Sequence, residues 1–199
     1  MLNGLTELSE AVSKALSEHQ GDILELNGLT ELSEAAAEAI AKHQGELLCL
    51  KGLTELSEAV AKALSKNQHG LGLMGLTELS EAAAKALAKH RGDDLCLNGL
   101  TGISDSVAEA LAKHQGELRL DGLTELSEAV AKALAKHQGK LYLSNLTGIS
   151  DSVAEALSEH QGDFLNLNGL NELSETAVKA FGQYQGRLMI SARLRTYLA

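Results

Sequence analysis

The sequence has no tryptophan and only five other aromatic residues, three Tyr and two Phe, so wherever an aromatic stands is informative. With a formal charge of −10, it lacks the clustered Lys and Arg that sequence-independent binding to nucleic acid or anionic membranes needs. Its apolar runs are only a few residues long, too short to span a bilayer. No basic-then-apolar signal opens the chain. A Gly-rich phosphate loop, a Ser-His-Asp set and His-Glu-x-x-His are all missing, which argues against an enzyme and against a cofactor.

What the sequence does have is a repeat. The stretch from Gly122 to Gly139 fits the chain eight times, its opening glycine recurring at Gly4, Gly28, Gly52, Gly75, Gly99, Gly122 and Gly169 with Asn145 standing in once. Steps of 23 or 24 residues mean an array whose units bury their apolar faces against one another. Each unit carries a Leu-x-Leu segment, such as Leu118-Arg119-Leu120, that reads as a short strand with both leucines inward. Strands separated by a helix at constant spacing should be parallel. Asn in place of the opening glycine suggests a left-handed backbone there. The row of Thr6, Thr30, Thr54, Thr77, Thr101, Thr124 and Thr147, ending in Asn171, offers a hydroxyl or amide to the adjacent unit's backbone.

A serine followed by Glu or Asp, as in Ser127-Glu128, reads as a helix N-cap with a first-turn carboxylate. Val130, Ala133, Leu134 and His137 then share one helical face, and the invariant alanine row that includes Ala133 lets the helix approach the strands closely. A glycine such as Gly139 closes the helix as a left-handed cap, giving about eleven residues and about 16 Å. His69 takes that place once.

With its Leu-x-Leu strand, loop and helix in each unit, the sequence resembles the leucine-rich repeats. The wording Gly-Leu-Thr-x-Leu-Ser…Ala-Leu-Ala-x-His-x-Gly looks like a bacterial variety of them. The resemblance runs from Leu2 to about Ile190. It implies an α/β solenoid, curved, with a parallel sheet on the concave face and one short helix per repeat on the convex face. The Thr row stands where the family usually has an Asn or Cys ladder, and the cysteine-rich flanking caps of many secreted members are missing.

Residues flanking the strand leucines should point outward onto the concave face. Their mixture of apolar, aromatic and charged types suits a protein-binding surface, with Met74, Arg119, Tyr142, Phe164 and Met189 as the contact residues. Cys49 and Cys96 occupy the same strand position two units apart, about 10 Å and beyond disulfide reach, so they should be free thiols around a dent at Gly72. No His shares that face, and a metal role there fails on ligand count. The row His19, His43, His90, His114, His137 and His160, completed by Asn67 and Tyr184, suggests either a structural role at the helix end or sensing and metal binding. Helix spacing of about 8–10 Å favours the structural role.

Residues 1–199 thus read as a single repeat domain of about eight units, with an N-terminal half-unit at 1–21. Residues 191–199 break the pattern as a closing cap or a partial unit. The opening in mid-repeat suggests a fragment. The expected partner is a protein or peptide, with neither nucleic acid nor membrane insertion. End-to-end self-association through uncapped ends is the alternative.

Overall fold

The computed structural model describes residues 5–197, so Leu2 and Gly4 of the first unit and Leu198 of the terminal stretch lie outside the described residues. The described chain alternates α1 (Glu10–Ser17), β1 (Ile23–Glu25), α2 (Glu34–Ile40), β2 (Leu47–Cys49), α3 (Glu58–Leu64), β3 (Gly70–Gly72), α4 (Glu81–Leu87) and β4 (Asp94–Cys96). It continues with α5 (Asp105–Leu111), β5 (Glu117–Arg119), α6 (Glu128–Ala135), β6 (Leu141–Tyr142), α7 (Asp151–Ser158), β7 (Phe164–Asn166), α8 (Glu175–Phe181), β8 (Arg187–Met189) and α9 (Ala192–Arg195). The strands form one eight-stranded parallel sheet in sequence order. This is the expected α/β solenoid.

Register is constant: Leu24, Leu48, Leu71, Leu95, Leu118, Leu141, Leu165 and Leu188 lie in one row across the sheet. The 23- and 24-residue units coexist because the extra residue falls between the helix-end glycine and the strand. Gly92-Asp93-Asp94-Leu95 has it and Gly116-Glu117-Leu118 does not. The length change is absorbed before pairing begins.

Helices α1–α8 start as their serines dictate, whereas Ser191 before α9 makes no side-chain cap. Ser127 Oγ accepts from the Val130 N–H at 3.1 Å, and the bond repeats at Ser33, Ser57, Ser80, Ser104, Ser150 and Ser174. Replacing Ser127 by Ala is expected to cost about 1 kcal/mol, lowering the melting temperature by about 2–4 °C. A thermal melt matching the native chain would mean that the cap contributes nothing.

The helices α1–α8 run only seven or eight residues, not eleven. Past Leu134 the chain tightens into i→i−3 bonds, with Lys136 N–H to Ala133 O at 3.2 Å and His137 N–H to Leu134 O at 3.0 Å. The helix ends there and the chain turns inward towards the sheet.

The left-handed expectation does not hold at either glycine row, nor at Asn145 or His69, since no described residue has positive φ. Glycine is required there by close approach instead. A Cβ on Gly52 would stand 2.6 Å from the Asn27 carbonyl oxygen of the preceding unit, and one on Gly116 would stand 2.6 Å from that of Asp93.

The core lies between sheet and helices. In one unit it comprises Leu118, Leu120, Leu123, Ala131 and Leu134, all fully buried. Ala37, Ala61, Ala84, Ala108, Ala131 and Ala154 form a fully buried row that the i, i+3, i+4 reading passed over in favour of Ala133 and its equivalents. The Thr row is exposed. Backbone bonds such as Thr77 N–H to Thr54 O at 3.1 Å join its units, and among the described residues only the Thr77 hydroxyl adds a cross-unit bond. The other expected hydroxyl bonds are absent because these side chains turn to solvent.

Candidate functional site

Three rows of side chains stand on the face of the sheet away from the helices. Register places Glu25, Cys49, Gly72, Cys96, Arg119, Tyr142, Asn166 and Met189 in the middle one. The row before it carries Asp94, Glu117, Phe164 and Arg187 on their strands.

Arg119, Tyr142 and Phe164 are brought together. The Arg119 guanidinium lies 4.2 Å from the Tyr142 ring centre, and the Tyr142 and Phe164 rings are 5.1 Å apart at 42°. Arg187 closes the run at 5.8 Å from Phe164. Arg119 is held from two sides: its Nε donates to Asp94 at 3.1 Å and an Nη to Glu117 at 3.0 Å. Lys140 also donates to Glu117, at 2.5 Å. Burial works against ionisation of Glu117, yet the Lys140 hydrogen bond and the Lys140 and Arg119 charges keep its carboxyl below the usual range. The result is two half-buried rings flanked by Arg119, which its carboxylates hold in place, and by the exposed Arg187.

Met189 follows Asn166 in the middle row, on the next strand. Met74 does not join the patch; its methyl lies over Gly72 beside Cys49. Sequence reasoning did not pick out Arg187, Asp94, Glu117 or Lys140 as site residues. The available signal was the register itself, which sets Arg187 opposite Phe164. Other outward positions are structural. Asn27 accepts from Lys51 N–H, Asn98 from Asp121 N–H and Asp121 from Ser144 N–H, each bond reaching the next unit. Cys49 and Cys96 are buried free thiols, as expected.

Clefts lie elsewhere, beside the loops of successive units. The one lined by Thr30, Leu32, Leu56 and Val60 recurs with Thr101, Ile103, Leu126 and Val130, which marks it as repeat geometry.

The histidines sit beyond the helix ends, not in the last turn, and His43, His90, His114, His137 and His160 are buried. Rings in adjacent units are 5.6–6.3 Å apart from His90 to His160, closer than the spacing of helix axes suggests. They are stacked, so their in-plane lone pairs do not converge. Among the described residues no group of three or more His, Cys, Asp or Glu is placed to hold a metal ion. Burial pushes all five imidazoles below their ordinary pKa, His114 to about 4. A neutral ring does not serve the helix dipole, so that part of the expectation gives way to burial.

None of the ten ring nitrogens meets a partner in hydrogen-bond geometry, although backbone groups of Ala112 and Gly116 are near enough to favour the charged form of His137. The other members of the row show what this position can reach. Asn67 donates to the Ala41 and His43 carbonyls of the preceding unit and accepts from His69 N–H. Tyr184 donates to Gly162 O at 2.8 Å.

No protein-family model matches the chain. No curated protein matches it either.

Proposed function

We propose that the chain is a non-enzymatic binding scaffold of the leucine-rich-repeat kind that holds a protein or peptide against the open face of its sheet. The observation that supports this reading is the run Arg119–Tyr142–Phe164–Arg187, spread over four neighbouring strands. Aromatic and Arg side chains are the residue types that dominate binding energy at interfaces. Arg119 needs little further ordering, because Asp94 and Glu117 already fix it. With Lys140, the patch carries three cations against two carboxylates in a chain of charge −10, which favours acidic or aromatic anchors on the partner.

The test is a pull-down from source-cell extract with the native chain and with Tyr142→Ala/Phe164→Ala. Light-scattering chromatography follows the assembly size of both. A partner kept by the native chain and bound at least about 30-fold more weakly by the folded double variant is the expected result. A partner held equally by both would remove this patch from the function. Association of the chain with itself has a specific observation in its favour, the exposure of Val12 at 39% and Ile23 at 50% in the first unit. A mass that grows with concentration and ignores Tyr142 and Phe164 would select that reading.

A further inference from the structure

The histidine row has a chemistry of its own, independent of the aromatic run. Ten ring nitrogens lie in the interior without a partner in hydrogen-bond geometry, and a polar group left so is destabilising. Three other occupants of the row show which partners this place offers. At Asn67 the side-chain oxygen accepts the N–H of the residue two positions on, His69, at 3.0 Å, while the amide donates to the preceding unit's Ala41 and His43 carbonyls. At His19 the Gly21 N–H donates to Nδ1 at 3.3 Å, the same local bond made to a ring. At Tyr184 the hydroxyl donates to the Gly162 carbonyl of the preceding unit at 2.8 Å. Each occupant accepts from its own turn, donates to the unit before it, or does both.

The glycine after the row fixes which ring nitrogen plays which part. A Cβ on Gly186 would meet the Tyr184 hydroxyl. A Cβ on Gly139 would meet both His137 Nε2, at 2.8 Å, and the Gly116 carbonyl oxygen. One on Gly162 would meet both His160 Nε2, at 2.7 Å, and the Gly139 carbonyl oxygen. Nε2 therefore stands where the tyrosine hydroxyl stands, beside the equivalent carbonyl of the preceding unit. The N–H groups of Gly139 and Gly162 donate to no backbone carbonyl among the described residues, which leaves them for Nδ1. The rival acceptor for a proton on His137 Nδ1, the Lys140 carbonyl, already takes the Leu118 N–H at 2.8 Å. The unit with Asn67 in place of the ring is also the one with His69 in place of the glycine.

We propose that each buried histidine is a neutral imidazole, protonated on Nε2, that clamps its unit to the one before: Nε2–H donates to the preceding turn and Nδ1 accepts the N–H two residues on. A turn of the ring about its Cβ–Cγ bond completes both bonds. Acid puts a hydrogen on Nδ1, where an N–H already points, and so opens the clamp. Asn67 and Tyr184 do not titrate in this range, so the β2–β3 and β7–β8 joints that they hold stay closed. His90, His114, His137 and His160 hold the joints from β3 to β7, which include the strands that carry Arg119, Tyr142 and Phe164. Few charges face the row. His19 and His69 repel a proton at His43, His90 and His137 repel one at His114, and His137 repels one at His160. Asp93 attracts one at His90, against burial.

The test is NMR spectroscopy of the nitrogen-15-labelled chain between pH 7.5 and 5, at a temperature where it stays folded throughout. At pH 7.5 the ring-nitrogen shifts of the five buried histidines are expected to report the Nε2–H tautomer, with ring protons that exchange slowly with water. Backbone hydrogen exchange, corrected for the intrinsic effect of pH, reads the joints. Leu120 N–H bonds Tyr142 across the His137 joint, and Leu143 N–H bonds Asn166 across the His160 joint. Both are expected to lose protection at least about tenfold by pH 5. Leu50 N–H, which bonds Gly72 across the Asn67 joint, is expected to lose no more than about twofold. His137→Asn keeps both clamp bonds and should restore protection at Leu120 but not at Leu143. Should that variant fail to fold, the two readouts on the native chain decide alone. An Nδ1–H tautomer, ring protons in fast exchange, or equal losses at Leu50 and Leu120 would overturn the proposal. So would a folded His137→Asn chain whose Leu120 stays as acid-sensitive as before.

Discussion

Lowering the pH from 8 to 5 is expected to destabilise the chain steeply, through the five buried imidazoles. Each folded pKa lies below the ordinary value of 6.5, so the unfolded chain binds more protons once pH falls below 6.5. Stability conferred by the neutral rings is complete above pH 6.5 and is lost as pH falls towards the folded values. For His114, lowered to about 4 by burial first and then by its neighbours His90 and His137, the loss by pH 5 is about 2 kcal/mol. That alone would lower the melting temperature by about 4–8 °C in a chain of this size. The other four rings act in the same direction, against a total stability of about 5–15 kcal/mol for an ordinary domain.

Charges near the row do not reverse the sign. His19 and His69 add repulsion to burial at His43, and His137 adds it at His160. Asp93 favours the charged form of His90, yet burial outweighs it. Among the paired carboxylates, Glu38, Glu81, Glu117 and Glu128 sit below their usual range and titrate later, while burial raises Asp94, whose protonation works against the histidine effect and so cannot produce the expected loss. The control is supplied by the chain itself: Asn67 occupies the row, buried, with bonds to the preceding unit. A variant with Asn at positions 43, 90, 114, 137 and 160 should keep its fold and lose the acid sensitivity. Equal melting temperatures for the native chain at pH 8 and pH 5 would end the explanation.

Periodicity made the architecture legible. Leu-x-Leu at constant spacing determined parallel strands and register, and Ser followed by Glu or Asp determined the starts of α1–α8, because both are local effects repeated eight times. The helix ends were less legible, since the i→i−3 turn after Leu134 recurs where Asn67 or Tyr184 stands in place of the His and so is not marked by that residue's type. The glycines were read for backbone conformation when contact with the preceding unit governs them, and a contact between units leaves no mark on periodicity. At the candidate site, outward alternation found Arg119, Tyr142 and Phe164. It could not separate Met74, which folds over Gly72, or Asn27, Asn98 and Asp121, whose side chains are committed to the next unit's backbone.

That contact between units makes the glycine rows the most sensitive positions for a single methyl group. A Cβ at Gly75 would run into the Lys51 carbonyl oxygen, and one at Gly139 into that of Gly116, in each case the backbone of the preceding unit. Backbone in a paired array cannot rotate away as a side chain does, and both neighbours would have to separate. Gly75→Ala and Gly139→Ala are therefore each expected to cost about 3 kcal/mol or more, the upper range for overpacking. Gly102 and Gly148 provide the contrast. A Cβ there meets nothing within 4 Å, and neither residue uses positive φ. Other units carry Glu at this place, as at Glu125. Gly102→Ala should stabilise by about 0.4–1 kcal/mol through the unfolded chain. Denaturant midpoints for the four single variants measure both effects. Tolerance of alanine at Gly75 and Gly139 would mean that the units are packed less closely than their carbonyls indicate. Four equal destabilisations would mean that glycine acts through helix or loop propensity, because propensity does not distinguish a position facing backbone from one facing solvent.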